Sequence, residues 1–360
     1  MKRGMVRALA KTSSVFGITL LYGNINKRRH SNLLIIYYHR IVPSLSSVSL
    51  NSCQRLTGEL VSVNSFEKQI RYVAERYEIV TLESLLAVLQ NKEKGSHLAV
   101  ITFDDAYREV YSNAFPVLKQ YGLPATVFCP GEVVTDGDGF CPIWLDKLFY
   151  ILDHACIDKF NLPDDSCEYR LGNRLQKRET LLLLIKYLRS FTKAERNSFL
   201  CMLAEQLDVK LSNKIFQNYY LTVDQIREMQ KEGISFGSHT MSHPDLGQIP
   251  KDEVEREIIQ SKMRLEKITE KQCEFFAYPF GEPCVISNFS MEVLRQNGFI
   301  GAVTTVDGIN HPGDNPYNIK RVLAPGQDFQ LFTFRCTGLS ASLKSLFGKV
   351  QSCHHQQLSD

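Results

Sequence analysis

Apolar residues in this chain gather in short continuous runs, and longer amphipathic stretches separate one run from the next. The runs cover residues 33–40, 79–81, 98–103, 125–129, 234–237, 274–278, 300–304 and 320–323. Most are rich in β-branched or aromatic side chains, as strands of a parallel sheet buried on both faces should be. Between them, helical periods span 65–77, 82–90, 107–121, 223–232, 251–269 and 287–297. Ser65 and Thr222 read as helix starts, and Gly122, Gly233 and Gly298 follow helices as C-terminal glycines do. Strand and helix alternate, which predicts a parallel βα barrel.

One stretch breaks the rhythm. Residues 136–220 contain no strand-like run, hold the only tryptophan, Trp144, and turn helical over 178–207. They predict a helical insertion between barrel strands, placed to shape access to the rim or to act as scaffold. Trp144 reads as a core residue, with stacking on a sugar ring as the alternative. The barrel domain is expected over 32–338, after a basic amphipathic N-terminal helix over 1–31 and before a polar tail over 339–360. Lys2, Arg3, Arg7 and Lys11 precede an apolar run that is far shorter than a membrane span. Cleavage signals of a leader peptide do not follow it. A helix of that kind packs on the barrel or rests on an anionic membrane surface, so the location expected is cytoplasmic or peripheral on the cytoplasmic membrane face.

Composition narrows the classes. The chain has 360 residues, 44% hydrophobic and 22% charged, which describes a globular protein with an ample core. A net charge of +3 without a basic stripe gives no argument for nucleic acid. Ten cysteines occur without a C-x-x-C pair, a scattered usage that favours a reducing compartment. Cys129, Cys273 and Cys284 lie in or beside apolar runs and read as small buried hydrophobes.

The chemistry sits at the ends of three runs. Thr102-Phe103-Asp104-Asp105 closes one, Ser238-His239-Thr240-Met241-Ser242-His243 follows another, and Tyr278-Pro279-Phe280-Gly281 follows a third. In α/β architectures ligands bind beyond the carboxyl ends of the strands, so all three point at one rim. Together they offer adjacent carboxylates, two imidazoles and a tight loop whose backbone N–H can serve an oxyanion. That set suits a metal-activated water beside a general base, and hence hydrolysis. A two-His, one-carboxylate set also suits non-haem iron oxygenases, but a second carboxylate beside the ligand is of more use to a hydrolase. The turn-rich loop 307–317 is a further candidate for substrate contact, and its His311 is not needed as a ligand.

These three strings, in this order, resemble the NodB-homology domain of the polysaccharide deacetylases, over roughly residues 33–325. The resemblance implies a distorted (β/α) barrel of seven or eight strands. It implies Asp104 as general base and Asp105, His239 and His243 as ligands of a divalent metal, with zinc the first choice and cobalt or nickel open. Two departures stand out. Ala277 occupies the place of an Arg that orients the base, leaving Arg40 or Arg321 to replace it. Around Arg321-Val322-Leu323-Ala324-Pro325 there is no histidine, where many members carry their acid after a Leu. The early Tyr38-His39-Arg40 is similar instead to the poly-N-acetylglucosamine deacetylases, a permuted branch, and makes His39 the candidate acid. Tyr278, Pro279, Phe280, Gly281 and Arg321 are expected to contact substrate. The implied activity is removal of an N-acetyl or N-formyl group from an amino sugar of a polysaccharide or lipid-linked glycan. A silent carbohydrate-binding barrel and an amidase on a non-sugar substrate are the alternatives.

Overall fold

The computed structural model describes Lys11 and residues 32–91, 97–134, 139–162 and 167–339. The expected N-terminal helix and C-terminal tail lie outside the described residues. In chain order the first elements are β1 (Asn32–Tyr38), β2 (Arg40–Val42), α1 (Cys53–Thr57), β3 (Leu60–Ser62), α2 (Val63–Ala74), β4 (Glu78–Ile79) and α3 (Leu82–Asn91). Then come β5 (His97–Phe103), a π-helical turn at Val110–Ala114, α4 (Phe115–Tyr121) and β6 (Ala125–Cys129). The middle of the chain forms α5 (Trp144–His154), β7 (Lys159–Asn161), β8 (Glu168–Arg170), α6 (Arg174–Leu188) and α7 (Lys193–Gln206). Then α8 (Val223–Lys231), β9 (Ile234–Ser238), α9 (Lys251–Thr269), β10 (Phe275–Ala277) and α10 (Asn288–Gln296) follow. β11 (Gly301–Val303), β12 (Val322–Leu323) and α11 (Phe329–Cys336) complete the described chain.

Eight strands form one parallel sheet, in the order β11-β10-β9-β6-β5-β1-β12, with β4 beside the first half of β5. The ends of that order meet. Ile319 N–H donates to Ala302 and Thr304 N–H donates back to Ile319, while Val322 and Leu323 pair with Ile36 and Tyr37. The segment from Ile319 to Leu323 thus carries the pairing from β11 round to β1 and curls the sheet into the expected barrel.

Parity along each strand sorts its side chains. Leu33, Ile35, Leu98, Val100, Phe128, Phe275, Ala277, Val303 and Ile319 form one buried cluster, with the leucines of α3 packed against it. The register Leu33↔Leu98, Ile35↔Val100 and Tyr37↔Thr102 keeps this interior face aligned towards the carboxyl ends. The intervening residues, such as Leu34, Ile36 and Ile101, join the larger cluster under the outer helices.

Local signals account for most helix ends. Thr222 makes a capping box with Gln225 at the start of α8. Gly122 caps α4 in the left-handed region. Helix α2 begins before the expected position because Ser62, not Ser65, is its N-cap and accepts from Ser65 N–H. The expected helix over 107–121 is continuous from residue 108 to 121, with a π-helical stretch at Val110–Ala114 running directly into α4. The span 136–220 contains α5, α6 and α7, and also an antiparallel β7–β8 pair that its composition did not signal. This region has its own buried cluster, built on Trp144, Leu148, Leu181, Leu184, Leu200 and Leu203. Cys129 and Cys273 are buried, whereas Cys284 is exposed, contrary to expectation, because it lies in the loop beyond β10 rather than on a strand.

Candidate active site

The inward parity of β5 continues from Thr102 to Asp104, and that of β12 places Arg321 on the same interior axis. There the two side chains meet. Arg321 is fully buried and donates from Nη1 to Asp104 Oδ1 at 2.8 Å and from Nη2 to Oδ2 at 2.7 Å. Its Nε donates to the Thr304 carbonyl at 2.7 Å, and its guanidinium lies 4.3 Å from the Tyr37 ring centre. The fork geometry fixes the carboxylate in two directions, as a bidentate Arg pair does. Burial pushes the Asp104 carboxyl up, but the Arg321 charge and hydrogen bonds outweigh it and hold it at about 2. Of the two arginines expected as partners for Asp104 in place of an Arg at Ala277, Arg321 is the one paired with it. Its expected substrate contact is corrected: it has no exposed surface and does not line the cavity.

Asp105, next in the chain, has the opposite surroundings. Its backbone turns into the left-handed region at φ 71, which swings its side chain away from that of Asp104. Asp105 Oδ1 is buried without a hydrogen-bond partner. Burial pushes this carboxyl up to about 8. The imidazoles of His239 and His243 stand beside it, their Nε2 atoms 3.6 and 3.4 Å from Oδ1. One donor atom from each of the three residues lies within 4.8 Å of the others.

The imidazoles are held in the form a metal needs. Burial depresses His239 to about 4 and His243 well below its ordinary value, so both are neutral at pH 7. His239 Nδ1 sits 2.7 Å from the Ala277 carbonyl, an acceptor that fixes the proton on Nδ1 and leaves Nε2 free. The loop between them is tied down from outside. Glu257 on α9 accepts from the N–H groups of Met241 and Ser242, both at 2.8 Å, and from the Ser242 hydroxyl at 2.6 Å. His243 N–H donates to the Thr240 hydroxyl at 3.0 Å. Trp144 donates its indole N–H to the His243 carbonyl at 3.0 Å. Trp144 is thus a buried support of the loop that carries the two imidazoles and not a stacking platform for sugar.

Five non-glycine residues at this rim have positive φ: Asp105, Ala106, Thr240, His243 and Phe280. Such backbone costs about 1–3 kcal/mol per residue and is kept where neighbours over-determine it. Gly281, at φ 56, answers a different need, since a Cβ there would stand 2.5 Å from Thr305 N.

A cavity of about 550 Å³ opens over these groups. Asp104, Asp105, His39, His239 and His243 all line it. His39 follows β1 and has Glu59 Oε2 at 3.7 Å from its Nδ1. Burial opposes the charged imidazole, but Glu59, Asp105 and Asp104 outweigh it and raise His39 above its ordinary value. Of the Tyr278–Gly281 loop, Tyr278 and Phe280 line the cavity, while Pro279 and Gly281 are buried away from it. Gly281 N–H is spent on the Pro279 carbonyl, and Tyr278 N–H on Val303; Phe280 N–H has no acceptor among the described residues. Arg40, the other candidate partner for Asp104, pairs instead with Glu109 and lies over the Tyr107 ring. The loop 307–317 does not reach the cavity: Asn310 pairs with Leu33 at the start of β1, the opposite end of the barrel.

Sequence reasoning missed Glu59, Glu257 and the Arg189 contacts described below. None belongs to a motif; each is brought to the rim by packing alone.

With this geometry in hand, comparison with known proteins is decisive. The family pattern described as polysaccharide deacetylase matches residues 91–147 and 188–302. Over those residues the chain is similar to the polysaccharide deacetylase family. It is similar to YxkH of Bacillus subtilis (strain 168), named as a polysaccharide deacetylase, at 22% identity over 86% of this chain and 77% of that protein. It is also similar to the poly-beta-1,6-N-acetyl-D-glucosamine N-deacetylase of Staphylococcus aureus (strain MSSA476), at 29% identity over 28% of this chain and 37% of that one. Among solved structures, the deacetylase PplD of Streptococcus pyogenes superposes with a TM-score of 0.54 at 19% identity, over 85% of this chain and 99% of that one. IcaB of Ammonifex degensii gives 0.53 at 20% identity, over 85% and 97%. These structures share the fold. The chain is thus a deacetylase-like hydrolase of carbon–nitrogen bonds other than peptide bonds, built on a curled parallel βα barrel.

Proposed function

We propose that this protein removes an N-acetyl, or N-formyl, group from an amino sugar of a polysaccharide or lipid-linked glycan. A divalent metal, zinc in the first instance, would be held by Asp105, His239 and His243. The observation that carries the reading is the contrast between two adjacent carboxylates. Asp104 is paired and fixed, while Asp105 has a buried oxygen with no partner but two neutral imidazoles. A divalent cation would satisfy that oxygen and both imidazoles at once, and a donor set of two nitrogens and one carboxylate oxygen suits zinc with open positions.

When bound there, a divalent ion supplies a Lewis acid that polarises the amide carbonyl and lowers the pKa of water from about 15.7 towards about 7. Asp104, held by Arg321, takes the proton of the attacking water. Its pairing keeps it ionised at any working pH but makes it a weak base, so the water must be acidified for transfer to occur. Phe280 N–H is the backbone donor available to the developing oxyanion. His39, with Glu59 beside Nδ1, protonates the departing amine. Burial opposes its charge, but Glu59, Asp105 and Asp104 outweigh that and raise its pKa above the ordinary value, which favours the proton-carrying form. The presence of Arg321 removes the main support for a silent barrel, since the base keeps its orienting partner.

The test is metal analysis of the purified protein together with amine release from N-acetylglucosamine oligomers. Stoichiometric metal and amine release lost on chelation support the reading. A protein with metal but no release from any N-acylated glycan overturns it.

A further inference from the structure

We propose that the cleft contains a second subsite, on α6, for a negatively charged group of the glycan, so that the substrate is an acidic amino-sugar chain. This rests on the deacetylase reading above and names its substrate class. Residues 178, 182, 185, 186 and 189 recur at helical spacing on one face of α6 and its C-terminal turn, and all five line the catalytic cavity. This face carries three cations. Arg189 is committed: it pairs with Asp245 at 2.7 Å and Glu282 at 3.0 Å, and lies 4.3 Å from the Phe280 ring centre. Lys177, on the adjoining face, pairs with Asp153 at 2.7 Å. The side chains of Arg178 and Lys186 make no hydrogen bond or ion pair among the described residues.

The other charges of the cavity wall are already engaged. Asp104 is held by Arg321, Arg40 by Glu109, and Asp105 faces the two imidazoles. Glu59 is left, and it stands beside His39. The uncommitted charge on the insertion side is therefore positive. Exposed cations on a convex surface are usually just solvated. These two stand in a concave cleft with apolar Leu182 and Ile185 between them, where the field is focused on a bound ligand. Eight residues of helix separate them by about 12 Å along the axis, so charge and apolar surface are offered to an extended ligand. Most of α6 also lies in the segment between the two stretches that match the family pattern, 91–147 and 188–302. This wall is a feature of the chain itself and not of the resemblance.

The test is calorimetric binding to the full-length protein carrying His39→Gln, which slows turnover. Two pairs of probes are compared. A heparosan tetrasaccharide, alternating glucuronate and N-acetylglucosamine, is set against chitotetraose. N-acetylglucosamine 1-phosphate is set against N-acetylglucosamine. At least one acidic probe is expected to bind about tenfold tighter than its neutral counterpart in low salt, with the advantage shrinking as salt rises. A preference in the first pair identifies a carboxylate within the polymer, and in the second a phosphate on the sugar. Adding Arg178→Gln and Lys186→Gln should erase the preference while leaving the melting temperature within a few degrees. Arg174→Gln, on the exposed first turn of α6, should not affect it. Equal binding within both pairs, or a preference untouched by the double substitution, overturns the subsite. Charge-dependent binding by a protein whose wild type deacylates no glycan overturns the deacetylase reading and leaves the subsite standing.

Discussion

The two walls of the cleft are built on opposite plans. On the barrel wall nearly every charge is spoken for: Arg321 with Asp104, Arg40 with Glu109, and Asp105 with its imidazoles. On the insertion wall Arg178 and Lys186 have no partner among the described residues, and Leu182 is exposed. The barrel wall is preorganised for reaction, with backbone strain and bidentate pairing concentrated there. The insertion wall keeps its binding capacity for something that is not part of the protein. Changes to the first should therefore damage chemistry and folding together, and changes to the second should alter only which ligand is preferred.

The largest break comes from the ligands. Replacing both His239 and His243 with Ala should reduce metal content from stoichiometric to below about a tenth and abolish turnover, because one carboxylate cannot hold the ion alone. Retained stoichiometric metal would remove the triad from consideration. Next, Asp104→Asn should keep the metal yet lower kcat by about 10²–10⁴-fold, the usual share of a general base. Near-normal kcat would hand that role to another group.

Arg321→Met tests stability as well. It leaves a buried carboxylate unpaired, at a cost of about 3–5 kcal/mol in urea unfolding. The pH dependence follows in sign. Asp104 titrates at about 2 in the folded protein against 3.8 in its ordinary state. The wild type therefore holds about 2 kcal/mol from this group above pH 4, lost as pH falls from 4 to 2. In Arg321→Met burial alone acts on the carboxyl and pushes it up instead, so that acid-side loss should vanish and the variant's deficit should shrink as pH falls. An acid limb identical to that of the wild type would show that the pair contributes nothing.

His39→Gln should keep metal and lose most of kcat along with the alkaline limb of the pH–rate profile. In the wild type that limb should lie above pH 6.5, since His39 must be charged to act and its pKa is raised. An active variant with an unchanged profile would pass the acid role elsewhere. The smallest effect belongs to the insertion side. Trp144→Phe removes one indole N–H from the His243 carbonyl. It should cost about 1 kcal/mol and weaken metal affinity by no more than about tenfold. A loss as large as that of His243→Ala would mean that the insertion belongs to the catalytic machinery.

The barrel and its rim were legible because their signals are local. A strand buried on both faces is a short apolar run, and the residue after it is at the rim, so Asp104, Asp105, His239 and His243 could be placed before any coordinates. The role of Arg321 was only half legible. It was one of two candidates to pair with Asp104, and the choice depended on the closure of β12 against β1, a contact between distant parts of the chain. Glu59 and Glu257 carried no signal, since a lone glutamate outside a motif looks like any solvated surface charge. The β7–β8 pair was missed for a related reason: each strand is three residues long, one aromatic between two exposed polar residues, too short to establish a period.

The closure of the barrel has a consequence for the order of synthesis. Asp104 emerges from the ribosome early, but the arginine paired with it directly precedes the last strand, and β12 docks beside β1, the first. At about 5–20 residues per second, many seconds separate the two. Until the sheet closes, the nascent chain has both aspartates and, later, both histidines, but its carboxylate base has no fixed direction. Catalytic competence therefore arrives in a single late event, and a partly made chain in contact with substrate or metal is not a slow enzyme but an unfinished one.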